Sequence, residues 1–342
     1  MGFARLHFAN DSTLTIGNVI RDIVGVIAGD YTATNQLLAA TQNLSEIRNT
    51  AGRGNWTKVY PSTNTNTIPQ VLSTTCLNGT TKFIRISGIG TSDVFPNTTN
   101  TDTYSYATSA AVNGIAMQCV TAATSATVVT NPTFVNANAT LAANNFITGN
   151  FVWLSWSSRH CLILGNQTGS GTTAIVGIGC FEFNELGIYD YRNVAPFINW
   201  QLMTSTFSTG INPTTTAALQ SSIYIMNHYN PSTTETYGYY NLTAGITNVE
   251  YNSITAGTAS SLPSSYTKNS SGAVAAILQP LFWHQHQLGI PHAYISDLSK
   301  VYRTQNGIGN PGDTMTVGAD TYVYFPIRSG DGLYFSLAVL RA

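Results

Sequence analysis

The run Phe151-Val152-Trp153-Leu154-Ser155-Trp156, then Ser157-Ser158-Arg159, then His160-Cys161-Leu162-Ile163-Leu164 decides how the chain is read. Two short stretches rich in aromatic and β-branched residues are split by a small polar cluster, which is the pattern of neighbouring strands. The same pattern recurs from Trp56 onward. It predicts strands at Trp56 to Tyr60, Lys82 to Ile86, Ile115 to Val120, Ala174 to Phe183, Ile223 to Tyr229 and Tyr237 to Leu242. Near the end it predicts three more, at Met315 to Val317, Tyr322 to Phe325 and Leu333 to Leu340. Thr314 and Thr316 alternate with Met315 and Val317, and Gly318-Ala319-Asp320 turns the chain back into Tyr322, so the ending reads as a β-hairpin. The stretches 94–113 and 255–272 are mostly Thr, Ser, Asn and Ala and read as loops.

One helical period stands apart from these runs. Ile16, Val19, Ile20, Ile23, Val24 and Ile27 fall on one face of a helix, with Ser12 or Thr13 placed to cap its start and Gly29 placed to end it. A second helix is expected after Thr34, with Leu37, Leu38, Leu44 and Ile47 toward the core. The fold class is therefore mainly β: an antiparallel β-sandwich or jelly-roll-like body with a short N-terminal helical hairpin and a C-terminal β module. The expected division is 1–54 for the helical segment, 55–275 for the central β body and 276–342 for the C-terminal module.

Composition narrows the function. Only 8% of the 342 residues are charged and the formal net charge is −1, against about 25% charged in an ordinary soluble domain. Thr, Ser, Asn and 18 Tyr take their place, so the surface is neutral and hydrogen-bonding. Charge repulsion guards against association, and a chain without it suits contact with copies of itself or with other subunits. The lysines Lys58, Lys82, Lys268 and Lys300 form no basic stripe, which argues against nucleic acid and acidic membranes as partners. The opening Met1 to Phe8 lacks a basic stretch followed by an apolar one, and no segment approaches the roughly 18 apolar residues of a membrane span. Synthesis in a cytosol, without membrane insertion, is expected.

Candidate chemistry is sparse. Cys76, Cys119, Cys161 and Cys180 stand far apart, which reads as buried thiols, with a disulfide between Cys161 and Cys180 on neighbouring strands as the alternative. His284 and His286 would share one face of a strand and present two imidazoles to a metal, with His292 able to turn back toward them. The plainer reading of these histidines is hydrogen bonding alone. Glu182, Glu185 and Asp190 form the densest carboxylate group, near Phe181, Phe183, Tyr189, Tyr191 and Trp200. Glycoside hydrolysis needs two such carboxyls beside a sugar groove, yet Glu182 and Glu185 would face opposite sides of a strand. No Gly-x-Ser-x-Gly elbow, His-Glu-x-x-His run or Walker-type loop is present, and no local arrangement marks a nucleophilic triad. No catalytic residue and no cofactor is expected. Tyr229, Tyr237, Tyr239 and Tyr240 sit among Asn and Thr as candidates for glycan binding. The closing strand, with Leu333, Phe335, Leu337 and Val339, is apolar enough to belong inside a sheet or at an assembly interface.

Two segments carry a family resemblance. Ile20-Arg21-Asp22-Ile23-Val24-Gly25-Val26-Ile27-Ala28-Gly29, continuing through Leu37-Leu38 and Ser45-Glu46-Ile47 to Asn55-Trp56, is similar to the opening of virion structural proteins of tailed bacteriophages. The stretch from Gln287 to Tyr294, with Gly312-Asp313-Thr314-Met315-Thr316-Val317-Gly318 and Asp320 to Pro326, resembles a C-terminal module of phage tail and neck proteins. His-x-His also resembles the motif by which trimeric viral spikes hold an ion on their axis. The resemblance implies a virion component of the tail, neck or baseplate, present in several copies and bound to itself and to other virion proteins. Two further readings stand beside it. One is a receptor- or glycan-binding fibre or capsid decoration module meeting a host surface glycan, and the other is a polysaccharide depolymerase built on Glu182.

Overall fold

The computed structural model describes residues 1–8, 16–29, 42–49, 56–62, 69–76, 79, 81–90, 112–120, 122–123, 129–130, 133–137, 151–167, 174–182, 184–185, 197–202, 223–226, 239–244, 278–285, 290–294, 300–304, 309–329 and 332–341. The chain starts with β1 (Gly2–Phe8), helix α1 (Ile16–Ala28) and β2 (Gln42–Asn49). Then come β3 (Thr57–Tyr60), β4 (Gln70–Thr75), β5 (Thr81–Gly90), β6 (Val112–Val120), β7 (Ala122–Ala123), β8 (Val129–Thr130) and β9 (Thr133–Ala137). The middle supplies β10 (Phe151–Ser157), β11 (His160–Gln167), β12 (Ala174–Glu182), β13 (Asn184–Glu185), β14 (Phe197–Leu202), β15 (Ile223–Met226) and β16 (Tyr239–Ala244). The last part holds β17 (Gln279–Gln285), β18 (Ile290–Tyr294), β19 (Val301–Thr304), β20 (Thr314–Val317), β21 (Asp320–Ser329) and β22 (Gly332–Leu340).

The described residues are mainly β, in three antiparallel sheets with one helix. The long sheet runs β2-β1-β10-β11-β12-β14-β15-β16-β17-β19-β22-β21-β20, with β18 and β13 attached beside β17. A second sheet runs β3-β4-β5-β6-β9, and β7 pairs with β8 alone. The run from Phe151 to Leu164 is the hairpin β10–β11, turned at Ser158 and Arg159 with Ser157 opposite His160.

Side-chain alternation along β10 and β11 divides the core. On one face Val152, Leu154, Trp156, Cys161 and Ile163 join Ala4 and Leu6 of β1 and Val19, Ile20, Ile23, Val24 and Ile27 of α1. Leu72, Ile84, Ile86 and Met117 of the second sheet belong to the same cluster, with Val26, Trp56, Cys76 and Cys180. The approach is close: a Cβ on Gly2 would collide with the indole of Trp156, its strand partner. On the other face Trp153 meets Phe325 of β21 edge to face, with ring centroids 5.3 Å apart. The β10–β11 hairpin is thus covered on both sides, which is why its sequence runs apolar almost without interruption.

The helix forms where the periodicity predicts it. Its C-terminal end is set by Gly29, whose φ of 77° is the left-handed geometry that glycine takes at low cost, and whose N–H donates to Val26 O. Ser12 and Thr13 lie outside the described residues. The expected second helix is corrected: Gln42–Asn49, which includes Leu44 and Ile47, is strand β2. A bulge is the reason, because the β1–β2 register shifts between Arg5 and Leu6, so that Leu44 lies opposite Leu6 and Ile47 opposite Ala4. One extra residue gives a strand the apolar spacing of three that a helix also has. Leu37 and Leu38 lie outside the described residues. Most of the two loop stretches does too, although Val112 and Asn113 open β6.

At the C-terminal end the expected hairpin is present. Val317 pairs with Asp320 across the two-residue turn Gly318-Ala319, and Gly318 has φ 64°, the positive angle that a type II′ turn places at its first position.

Candidate functional site

The tight turn of β10–β11 gathers a set of buried polar side chains. Ser155 and Ser157 lie two apart on β10 and so share a face, and the turn sets His160 opposite Ser157. Ser155 Oγ lies 2.8 Å from His160 Nε2, and Ser157 Oγ lies 3.0 Å from His160 Nδ1. His160 is fully buried. Burial, and after it the charge of the N-terminal amine, pulls its pKa down to about 3, so the ring is neutral. A neutral imidazole carries one N–H and one lone pair, so one serine hydroxyl accepts from the ring and the other donates to it. Ser157 Oγ also accepts the Arg159 backbone N–H at 3.0 Å.

Such a histidine is a weak base. General-base catalysis near neutrality needs a pKa near the working pH, and burial has moved this one far below it. The chemistry that suits the Ser-His-Ser chain is satisfaction of buried polar groups beneath the turn.

The other side of the turn is clamped to the second sheet. Trp56 Nε1 donates to Ser157 O at 2.7 Å, Thr74 Oγ1 donates to Ser158 O at 3.4 Å, and Arg159 Nη1 donates to Thr75 O at 3.3 Å. Arg159 Nη1 also pairs with Glu182 Oε2 at 2.9 Å, with the Glu182 side chain 4% and the Arg159 side chain 23% exposed. The Glu182 N–H donates to Arg159 O at 2.7 Å. Cys76, which follows β4, has its thiol pushed up to about 12, by burial first and then by the nearby Glu182 charge.

Of the sequence-predicted carboxylates, Glu182 therefore sits in this clamp, bonded to Arg159. Glu185 lies on β13, its backbone opposite Ala293 of β18, and Asp190 lies outside the described residues. His284 lies on β17 opposite Pro291, and His292 follows Pro291 on β18, so two of the three histidines fall on adjacent strands at neighbouring positions. His286 is outside the described residues. Among the described residues, no group of three or more His, Cys, Asp or Glu is placed to hold a metal ion. Tyr239 and Tyr240 lie on β16 opposite Met226 and Ile225, while Tyr229 and Tyr237 are outside the described residues.

The closing strand β22 lies between β19 and β21, paired on both edges. Leu337 and Val339 are fully buried within the chain itself. Leu333 and Phe335 lie on the same strand.

Sequence reading missed Ser155, Ser157, Arg159 and His160. The signal was their spacing, since two serines two apart, a two-residue turn and a histidine put three polar side chains on one face of an apolar hairpin. No helix among the described residues is long and apolar enough to cross a membrane. No protein-family model and no curated protein sequence matches this chain.

Proposed function

We propose that this chain is a structural protein of a tailed-phage virion, assembling in several copies in the tail, neck or baseplate region after synthesis in the host cytoplasm. The observation that carries this reading is a charge content of 8% in a chain built of long antiparallel sheets. β20 ends the long sheet, its Thr314 and Thr316 are exposed, and its four residues include no charge and no proline of the kind that guard free edges. In this reading the mechanism is assembly and not catalysis. Neutral β surfaces meet through tyrosine-rich contacts, since tyrosine brings area and a hydrogen bond at modest entropic cost.

The same reading takes the β body as a sandwich or jelly roll. What supports it is the core cluster, in which residues of the second sheet and of α1 lie against the β1–β10–β11 face of the long sheet.

Light scattering across a concentration series tests the proposal. Multimers, or association that grows with concentration, are expected, and a stable monomer at high concentration would sink it. Imaging of purified particles labelled at the C-terminus then locates the chain, and a monomer that binds a glycan array would favour a receptor-binding module instead.

A further inference from the structure

The register of β11 and β12 sets Cys161 directly opposite Cys180. Both residues are fully buried, both belong to the cluster under α1, and neither is in a disulfide. Directly opposed residues of an antiparallel pair project to the same side of the sheet. Two positions along, the Glu182 N–H donates to Arg159 O, so by alternation Cys161 and Cys180 occupy a hydrogen-bonded pair. The Cα atoms of such a pair stand about 5.5 Å apart, within the roughly 4.4–6.8 Å that disulfides span, while their Cβ atoms, also about 5.5 Å apart, must close by about 1 Å for the bond to form.

We propose that Cys161 and Cys180 are a latent cross-strand disulfide, formed by exchange with a low-molecular-weight disulfide when the chain folds or opens under oxidising conditions. The Cys161 thiolate attacks one sulfur of the small disulfide, which releases its first thiol and leaves a mixed disulfide. The Cys180 thiolate then attacks the Cys161 sulfur, forms the protein S–S bond and expels the second small thiol. Two protein thiols are oxidised and one small disulfide is reduced to two thiols. Burial keeps both sulfurs from solvent in the finished fold, so exchange proceeds before the β11–β12 ladder closes or during its opening. The product staples two central strands of the long sheet. This inference is independent of the proposed function.

Peptide mapping decides it. The full chain is refolded in glutathione disulfide, or held natively with it for hours, then alkylated and digested with trypsin. Residues 160–192 lie between Arg159 and Arg192 with no basic residue inside, so both cysteines leave in one peptide, while Cys76 and Cys119 leave in two others. The expected result is a 160–192 peptide lighter by two hydrogens and unalkylated, with Cys76 and Cys119 alkylated. The oxidised protein should also melt about 5 °C higher than the reduced one. Full alkylation of Cys161 and Cys180 in both arms, or cross-links joining the 160–192 peptide to those of Cys76 or Cys119, would overturn the proposal. Cys161→Ser and Cys180→Ser should each abolish the mass loss, and the wild-type map stands even if either variant fails to fold.

Discussion

Arg159 and Glu182 form an ion pair 2.9 Å long at the point where the β10–β11 turn meets the second sheet, and the same guanidinium nitrogen reaches Thr75 O. One side chain, Arg159, thus bonds both to β12 of its own sheet and to the end of β4 in the second sheet. Removing one partner takes a charge-assisted bond from a buried group, a loss of about 3 kcal/mol when that group keeps its charge. Arg159→Ala, which takes one counter-charge from the 4%-exposed carboxylate, should lower the urea midpoint more than the double variant Arg159→Met with Glu182→Leu. Urea denaturation of the three proteins measures it, and equal losses in single and double variants would refute the clamp.

Trp56 tests the same junction from the other side. Its Nε1 donates to Ser157 O at 2.7 Å, and Trp56 is fully buried. Trp56→Phe removes the donor but keeps most of the apolar bulk, so it should cost roughly 0.5–1.5 kcal/mol for the lost hydrogen bond plus a smaller packing loss. Chemical denaturation should show a lower midpoint with an unchanged slope.

Acid stability should be governed by two groups of opposite sign. The His160 pKa falls from 6.5 to about 3, so its contribution is fully present above pH 6.5 and is lost as the pH drops toward 3, about 5 kcal/mol in all. Asp22 is raised from 3.8 to about 6, chiefly by burial and against the pull of Arg21. Its contribution is present below pH 3.8 and is lost as the pH rises through 6, about 3 kcal/mol. Asp22→Asn should therefore be more stable than the wild type at pH 8 and close to it at pH 4. His160→Gln should flatten the loss below pH 6. Stability measured across pH 3 to 8 separates the two.

Gly318 supplies the positive φ of the β20–β21 turn, and nothing stands within 4 Å of where its Cβ would be. Gly318→Ala thus carries backbone strain without a clash and should cost about 1 kcal/mol, read as a small drop in Tm. A larger fall would mean that the turn packs against something else.

How much of this was legible in the sequence depends on distance along the chain. The α1 stripe, the β10–β11 hairpin and the Gly318 turn are local patterns, and each forms where its residues predict it. β2 misled because a bulge counterfeits helical spacing at Leu44 and Ile47. The clamp was hidden for another reason: Thr74, Thr75 and Trp56 meet residues 157 to 159 only through sheet packing, and short alternating runs do not carry strand order. Glu182 was noticed for its charge, but its partner Arg159 is remote in sequence and unremarkable by composition.

The position of β1 has a temporal side. Gly2 pairs with Trp156 and, on its other edge, with Asn49. The β1–β2 pairing can form once Asn49 has been made, but at roughly 5–20 residues per second the partner strand β10 arrives about 5–20 s later. For that interval a nascent chain holds out one open strand edge with little charge to repel its neighbours on adjacent ribosomes. A protein so arranged gains from slow initiation, or from a chaperone that shields Gly2–Phe8 until β10 is made.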